Sequence, residues 1–211
     1  MQIAVITGPT HEIALKRVQL ANRLRDGLEL RLDLFREALD REHVQELVRS
    51  STKKVILTLR KRCHGGGFVG TEEKRQKLLL ELLECQPQYI DIESDTDPKF
   101  FQIVHELFPT CKIISSYHDF SLTPRDLEKV FKAMESKNVY AYKVCTTANS
   151  FADAYKMLRF IQKKSTAQVR FIGICMGEYG RITRREGIKA GNYLNYTVLH
   201  NRDSCAPGLT I

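Results

Sequence analysis

The sequence predicts an α/β fold in which parallel strands close into one (β/α)8 TIM barrel, with the eighth helix missing or incomplete, as a single domain over residues 1–211. Two observations lead there. Eight short β-like runs alternate with seven longer stretches of helical period, without a break in composition. Polar residues also recur on one face of several strands, toward their C-terminal ends, where a closed barrel gathers them around one mouth. A doubly wound open sheet meets the first observation but would not collect those residues in one place.

The first strand is read over residues 2–7, a short apolar run with no basic segment ahead of it, and so not a secretory signal. The second, residues 28–34 (LELRLDL), alternates Leu28, Leu30, Leu32 and Leu34 with Glu29, Arg31 and Asp33. Strand period two sends the leucines to one face and the charges to the other. On a surface strand the charges would meet water. On a central parallel strand, helices lie outside and the lumen inside, so neither face is simply solvent. The third strand, residues 54–60, carries Thr58 and Arg60 on one face. Residues 72–84, EEKRQKLLLELLE, then form a helix capped by Thr71. The fourth strand, residues 89–93, sets Asp91 and Glu93 opposite Ile90 and Ile92.

The fifth strand, residues 112–118, ends on His118, and PRDLEKVFKAMES after it is a helix opened by Thr123 and Pro124. The sixth, residues 140–146, places Lys143 between Tyr142 and Val144, where an apolar residue is the ordinary choice. Residues 169–176 and 193–199 supply the last two strands. Beyond Leu199 the closing loop runs through CAPG to Ile211, leaving too little chain for a helix of about 10–12 residues.

Composition narrows the function classes. A hydrophobic content of 43% and a charged content of 27% describe a folded globular chain, and no apolar run reaches the length of a membrane span. Six cysteines are scattered singly, several in apolar segments, which suits reduced thiols in a cytoplasmic protein; no pair has zinc-ligand spacing. The net charge of +8 permits nucleic acid, a membrane surface or a small anionic substrate as partner, without choosing among them. No recognisable nucleic-acid motif supports the first of these. The loop HGGGFVG lacks the ending of a phosphate-binding P-loop and is read as a flexible loop at the barrel mouth.

The chemistry centres on two nitrogen bases. Lys143 on an edge strand would snorkel to water; buried, a desolvated amine loses its proton more easily and can attack a carbonyl carbon. His118, on the neighbouring strand end, titrates near working pH and can shuttle protons. Together they suit Schiff-base chemistry on a ketone. Arg31, Arg60 and Arg184 suit an anionic substrate, since a guanidinium grips a carboxylate with a two-pronged fork. Arg181, Arg184 and Arg185 read equally well as a solvated helix start.

In order along the chain, ELRLD, TLR with its Gly-rich loop, SYHDF, YKV, MGEYGRITR and APG resemble the type I 3-dehydroquinate dehydratases over nearly the whole length. The resemblance implies dehydration of 3-dehydroquinate to 3-dehydroshikimate with no metal or nucleotide cofactor. It implies Lys143 as the imine-forming lysine and His118 as the proton shuttle. Glu29, Arg31 and Arg60 would hold ring hydroxyls and shape the pocket, and Arg184 would bind the carboxylate. Two loops depart from the family. His64 stands where a glutamate usually supports the catalytic histidine, and Cys205 and Leu209 replace a serine and a glutamine of the closing loop. Other Schiff-base barrel lyases, of the aldolase or transaldolase type, are the alternative, and a basic nucleic-acid-binding module is a more distant one. The trimmed ends also resemble the dehydratase half of enzymes fused to a downstream shikimate dehydrogenase, and a homodimer is compatible with the sequence.

Overall fold

The computed structural model describes residues 1–37, 40–200 and 205–208. Its strands are β1 (Gln2–Ile6), β2 (Gly27–Arg31), β3 (Lys54–Thr58), β4 (Tyr89–Glu93), β5 (Lys112–His118), β6 (Ala141–Thr147), β7 (Phe171–Met176) and β8 (Asn195–Thr197). Between them lie α1 (His11–Leu24), α2 (Arg41–Ser50), α3 (Glu72–Leu83), α4 (Pro98–Leu107), α5 (Leu127–Met134), α6 (Phe151–Thr166) and α7 (Arg181–Ala190). All strand pairs are parallel, in the order β7-β6-β5-β4-β3-β2-β1-β8, so the sheet curls until β8 lies beside β1. This is the expected (β/α)8 barrel, nearly closed, with an unsealed seam between β7 and β8. Among the described residues no helix follows β8.

The Asn192 side chain and one backbone bond stitch the seam where strand pairing does not. The Asn192 amide accepts from Gly173 N–H at 2.8 Å and donates to Gly173 C=O at 2.9 Å, as a neighbouring strand would. The Tyr193 N–H donates to Phe171 C=O at 2.8 Å.

The pleat sorts the core into two zones. Leu28, Leu30, Val55, Leu57, Ile90 and Ile92 point outward and are buried beneath the helices. Ile3, Val5, Ile56, Tyr89, Ile114 and Ile172 point inward and fill the lower lumen. Each such side chain contributes about 1.5–3 kcal/mol on burial, enough in sum to hold a charged layer above them. That layer is Glu29, Arg31, Thr58, Arg60, Asp91, Glu93 and Lys143, all buried.

Several boundaries differ from the sequence reading. β2 ends at Arg31, and Leu32–Leu34 form a 3-10 turn instead of continuing the strand. The turn brings the Asp33 carboxylate back to Arg31, bonding Nε at 2.9 Å and Nη2 at 2.8 Å, a two-pronged contact that extended i and i+2 side chains would not make. β3 stops at Thr58, so Arg60 lies just past its end, where its C=O accepts from Phe68 N–H. Thr71 caps α3 as expected, accepting from Lys74 N–H. Thr123 does not open α5: Asp126 is the cap, while the Thr123 hydroxyl is drawn inward to Thr147 C=O at 2.9 Å.

The Gly-rich loop sits at the mouth but is tied down rather than free. Gly66 N–H donates to Lys61 C=O, and Gly67 N–H to the Asp33 carboxylate at 3.0 Å. A Cβ at Gly66 would meet Arg60 C=O at 2.1 Å, so only glycine allows this approach.

Candidate active site

The C-terminal ends of the strands surround a cavity of about 560 Å³, its open mouth included, into which Glu29, Arg31, Arg60, His118, Lys143 and Arg184 all project. The structure therefore brings every sequence-predicted site residue together. Cys205 and His64 line the same cavity, whereas Leu209 lies outside the described residues. Among the described residues, no group of three or more His, Cys, Asp and Glu side chains is arranged to hold a metal ion.

Among the described residues Lys143 is the only lysine lining the cavity, and it is 5% exposed. It does not snorkel. Its Nζ lies 3.0 Å from Asp91 Oδ2 and 3.4 Å from Glu29 Oε1, and 4.1 Å over the centre of the Tyr196 ring. The expectation that burial loosens its proton is overturned here. Burial does oppose the charge, but Asp91 and Glu29 outweigh it and raise the ammonium above its ordinary range. Resting Lys143 is a cation.

Asp91 is the hub of this arrangement. Besides Lys143 it pairs with Arg60 Nη2 at 2.8 Å, and its other oxygen accepts from Ser116 Oγ at 2.6 Å. Burial works against its ionisation, yet Arg60 and Lys143 hold it far below the ordinary carboxylate range. Arg60 also pairs with Glu93, 3.3 Å away, whose other oxygen meets fully buried Arg75 at 2.8 Å. Glu29 is held by the Thr58 hydroxyl at 2.8 Å. Carboxylates and cations thus alternate from α3 to Lys143, which fixes each side chain by what lies on either side.

His118 follows two residues after Ser116 on β5, and Ser116 is in register with Lys143 on β6. Strand alternation therefore aims His118 and Lys143 into the same cavity. Burial, reinforced by the charges of Arg60 and Lys143, pushes the imidazole well below its ordinary range, so it is a neutral base at neutral pH. The Phe120 ring stacks beside it at 6.2 Å between centres.

The arginines divide by partner. Arg31 is engaged by Asp33 and also donates to Cys205 Sγ at 3.4 Å; Arg60 is engaged by Asp91 and Glu93. Arg184, on α7, has no carboxylate partner among the described residues, and its buried Nε finds no acceptor there. Burial lowers its basicity, and among the described residues no carboxylate offsets it. It is not part of a solvated helix start: Arg181 and Arg185 are exposed on that helix, while Arg184 turns inward.

Residues 3–210 match the type I 3-dehydroquinase family. The chain belongs to that family. It is 32% identical over 214 residues to the 3-dehydroquinate dehydratase of Methanopyrus kandleri, covering 99% of this chain and 93% of the relative. The crystal structure of the 3-dehydroquinate dehydratase from Aquifex aeolicus superposes with a TM-score of 0.82 at 29% identity, over 100% of this chain and 93% of that one. The chloroplastic bifunctional 3-dehydroquinate dehydratase/shikimate dehydrogenase of Arabidopsis thaliana is 30% identical over 87% of this chain, which spans only 30% of that longer relative. Membership makes the chain an enzyme of the 3-dehydroquinate dehydratase class, acting by dehydration in the shikimate pathway.

Three site residues were not assigned a role from sequence. Asp91 was visible only as a polar position on an inward face and Ser116 was not singled out, because their pairing with Lys143 and Arg60 depends on strand register. Tyr196 shares an inward face with Leu194 and Val198, so period-two alternation in YLNYTVL was the signal that could have found it.

Proposed function

We propose that this chain dehydrates 3-dehydroquinate to 3-dehydroshikimate through an imine on Lys143. The observation that carries the reading is one cavity holding a single buried lysine, a neutral histidine on the next strand and, among the described residues, an arginine with no carboxylate partner. Arg184 takes the substrate carboxylate, and Glu29, Arg31 and Arg60 line the ring's binding site. Lys143 gives up a proton to His118 and attacks the ketone carbon; His118 returns that proton to the resulting hydroxyl, which leaves as water to give an iminium. Positive charge then stands where the ammonium stood, so Asp91 and Glu29 stabilise it as they stabilised the lysine. The iminium draws electrons from the neighbouring carbon. His118 removes the C2 proton, giving an enamine, and returns it to the C1 hydroxyl, which departs as water. Hydrolysis of the remaining imine frees Lys143. Six free cysteines suit a reducing, cytoplasmic setting for this work.

Borohydride reduction in the presence of 3-dehydroquinate tests the reading. Mass spectrometry should find the adduct on Lys143, and Lys143→Ala should abolish both adduct and turnover. An active enzyme that traps no substrate, or traps it elsewhere, would refute the imine.

A further inference from the structure

Tyr196, in the middle of β8, takes no part in the steps above, yet it touches the nitrogen at which they start. It is in register with Ile3 of β1, and its side chain points into the lumen and lines the cavity with Lys143. The ring face lies beneath Lys143 Nζ, with 4.1 Å between that nitrogen and the ring centre, the distance of a cation–π contact. The residue is 4% exposed, and its buried hydroxyl finds no hydrogen-bond partner among the described residues. A buried tyrosine hydroxyl ordinarily has one, because leaving it unpaired costs stability. Burial, with the charges of Glu29 and Asp91, raises its ionisation far above the ordinary range against the pull of Lys143, so the O–H keeps its proton. A neutral donor is thus held beside the lysine with no acceptor among the described residues.

The ring sets where that donor can act. Nζ stands over the face, and the phenol oxygen lies out at the rim, a ring radius and a C–O bond from the centre. It is therefore offset from the nitrogen and makes no hydrogen bond to it. It reaches instead toward whatever Nζ becomes bonded to. When the amine attacks a ketone, the carbon it joins carries one atom that can accept an O–H, the oxygen of the former carbonyl. We propose that Tyr196 is a third catalytic residue, whose hydroxyl donates to that oxygen as Lys143 attacks and holds the carbinolamine hydroxyl until it leaves. The role rests on the imine reading above. Tyr196 loses no proton in it: the proton that departs with the water comes from His118, and the phenol steadies the charge growing on oxygen as the carbonyl opens. Glu29 and Asp91 cannot do this, since carboxylates only accept. Arg31 and Arg60 are already engaged by Asp33, Asp91 and Glu93. The ring beneath keeps the ammonium, and then the iminium, over the same spot.

Timed borohydride quenching tests this on the full chain. Wild type and Tyr196→Phe are each mixed with 3-dehydroquinate and quenched at intervals, and the Lys143 adduct is measured by mass spectrometry. Tyr196→Phe keeps the ring under Nζ and removes only the hydroxyl. Its adduct should form roughly 10–10²-fold more slowly, between the loss of an ordinary hydrogen bond and that of a donor to a full oxyanion. A merely structural role would show in stability instead. With the hydroxyl unpaired in the folded protein, Tyr196→Phe should unfold in urea at the wild-type midpoint or above it, because it removes a buried polar group that nothing bonds. Adduct formation at the wild-type rate overturns the proposal. So does a lower urea midpoint, which would mean that the hydroxyl already serves a partner in the fold. An active wild type with no Lys143 adduct sinks the imine reading and takes this role with it. A wild-type adduct that forms as fast in Tyr196→Phe sinks this role alone.

Discussion

Replacing Asp91 by Asn keeps the side-chain shape and removes the charge that faces both Lys143 and Arg60. The carboxylate lies 3.0 Å from one cation and 2.8 Å from the other, and is 1% exposed. Removing one member of a buried ion pair leaves the other uncompensated, typically at a loss of about 3–5 kcal/mol. Here the partners are not abandoned. Lys143 retains Glu29, and Arg60 retains Glu93 and Ser116, so the lower end of the range, about 3 kcal/mol, is expected. With a urea m value of about 2–3 kcal/mol/M, the unfolding midpoint should drop by roughly 1–1.5 M. The sign of the pH dependence gives a second check. Asp91 is depressed in the folded state, so its stabilisation is complete above the unfolded carboxyl value of about 3.9 and is lost progressively as pH falls below it. The gap between wild type and Asp91→Asn should therefore narrow below about pH 4. A variant within about 1 kcal/mol of wild type at neutral pH, measured by urea melts followed by circular dichroism, would show that Asp91 is not the hub of the charged layer.

His118→Ala should still trap substrate on Lys143 but lose roughly 10²–10⁴-fold in turnover. Because the folded imidazole is pushed well below its usual value, the acid limb of wild-type kcat/KM should lie below about pH 6.5, and a limb at or above it would contradict the burial argument. Arg184→Ala should chiefly raise KM, as it removes the cation left available for a substrate carboxylate; an unchanged KM would count against that assignment.

What the sequence disclosed and what it hid follow from range. Alternation within a strand is local, so the inward faces of LELRLDL and YIDIE were legible, and with them Glu29, Arg31 and Asp91 as a layer. His118 and Lys143 were visible as unusual residues near strand ends. The charge state of Lys143 was not, because it is decided by Asp91 from two strands away in the barrel rather than by burial of the lysine itself. Local reading also missed uses of a side chain that compete with secondary structure. Asp33 bends the chain to reach Arg31, and Thr123 leaves its helix cap to bond Thr147. Asp95 and His64 are 31 residues apart and meet only because consecutive βα loops share the barrel mouth.

The unsealed seam bears on how the molecule assembles. β8 pairs with β1 through Gln2↔Asn195, Ile3↔Tyr196 and Ala4↔Thr197, contacts between opposite ends of the chain. Joining ends so far apart has an entropic loss that grows as (3/2)RT ln n, about 5 kcal/mol over such a loop before any constant. Three residues of β8, with strand pairing on one side only, return little until the other strands already stand in a curved sheet. Closure is thus a late event in folding, by hypothesis, and Asn192 is its latch: it completes the edge of β7 only once the last strand has arrived. Asn192→Ala should accelerate unfolding while leaving the refolding rate nearly unchanged, the signature of a contact absent from the transition state. Slower refolding with unaltered unfolding would instead place the seam in the nucleus, and the barrel would have to be built around its opening.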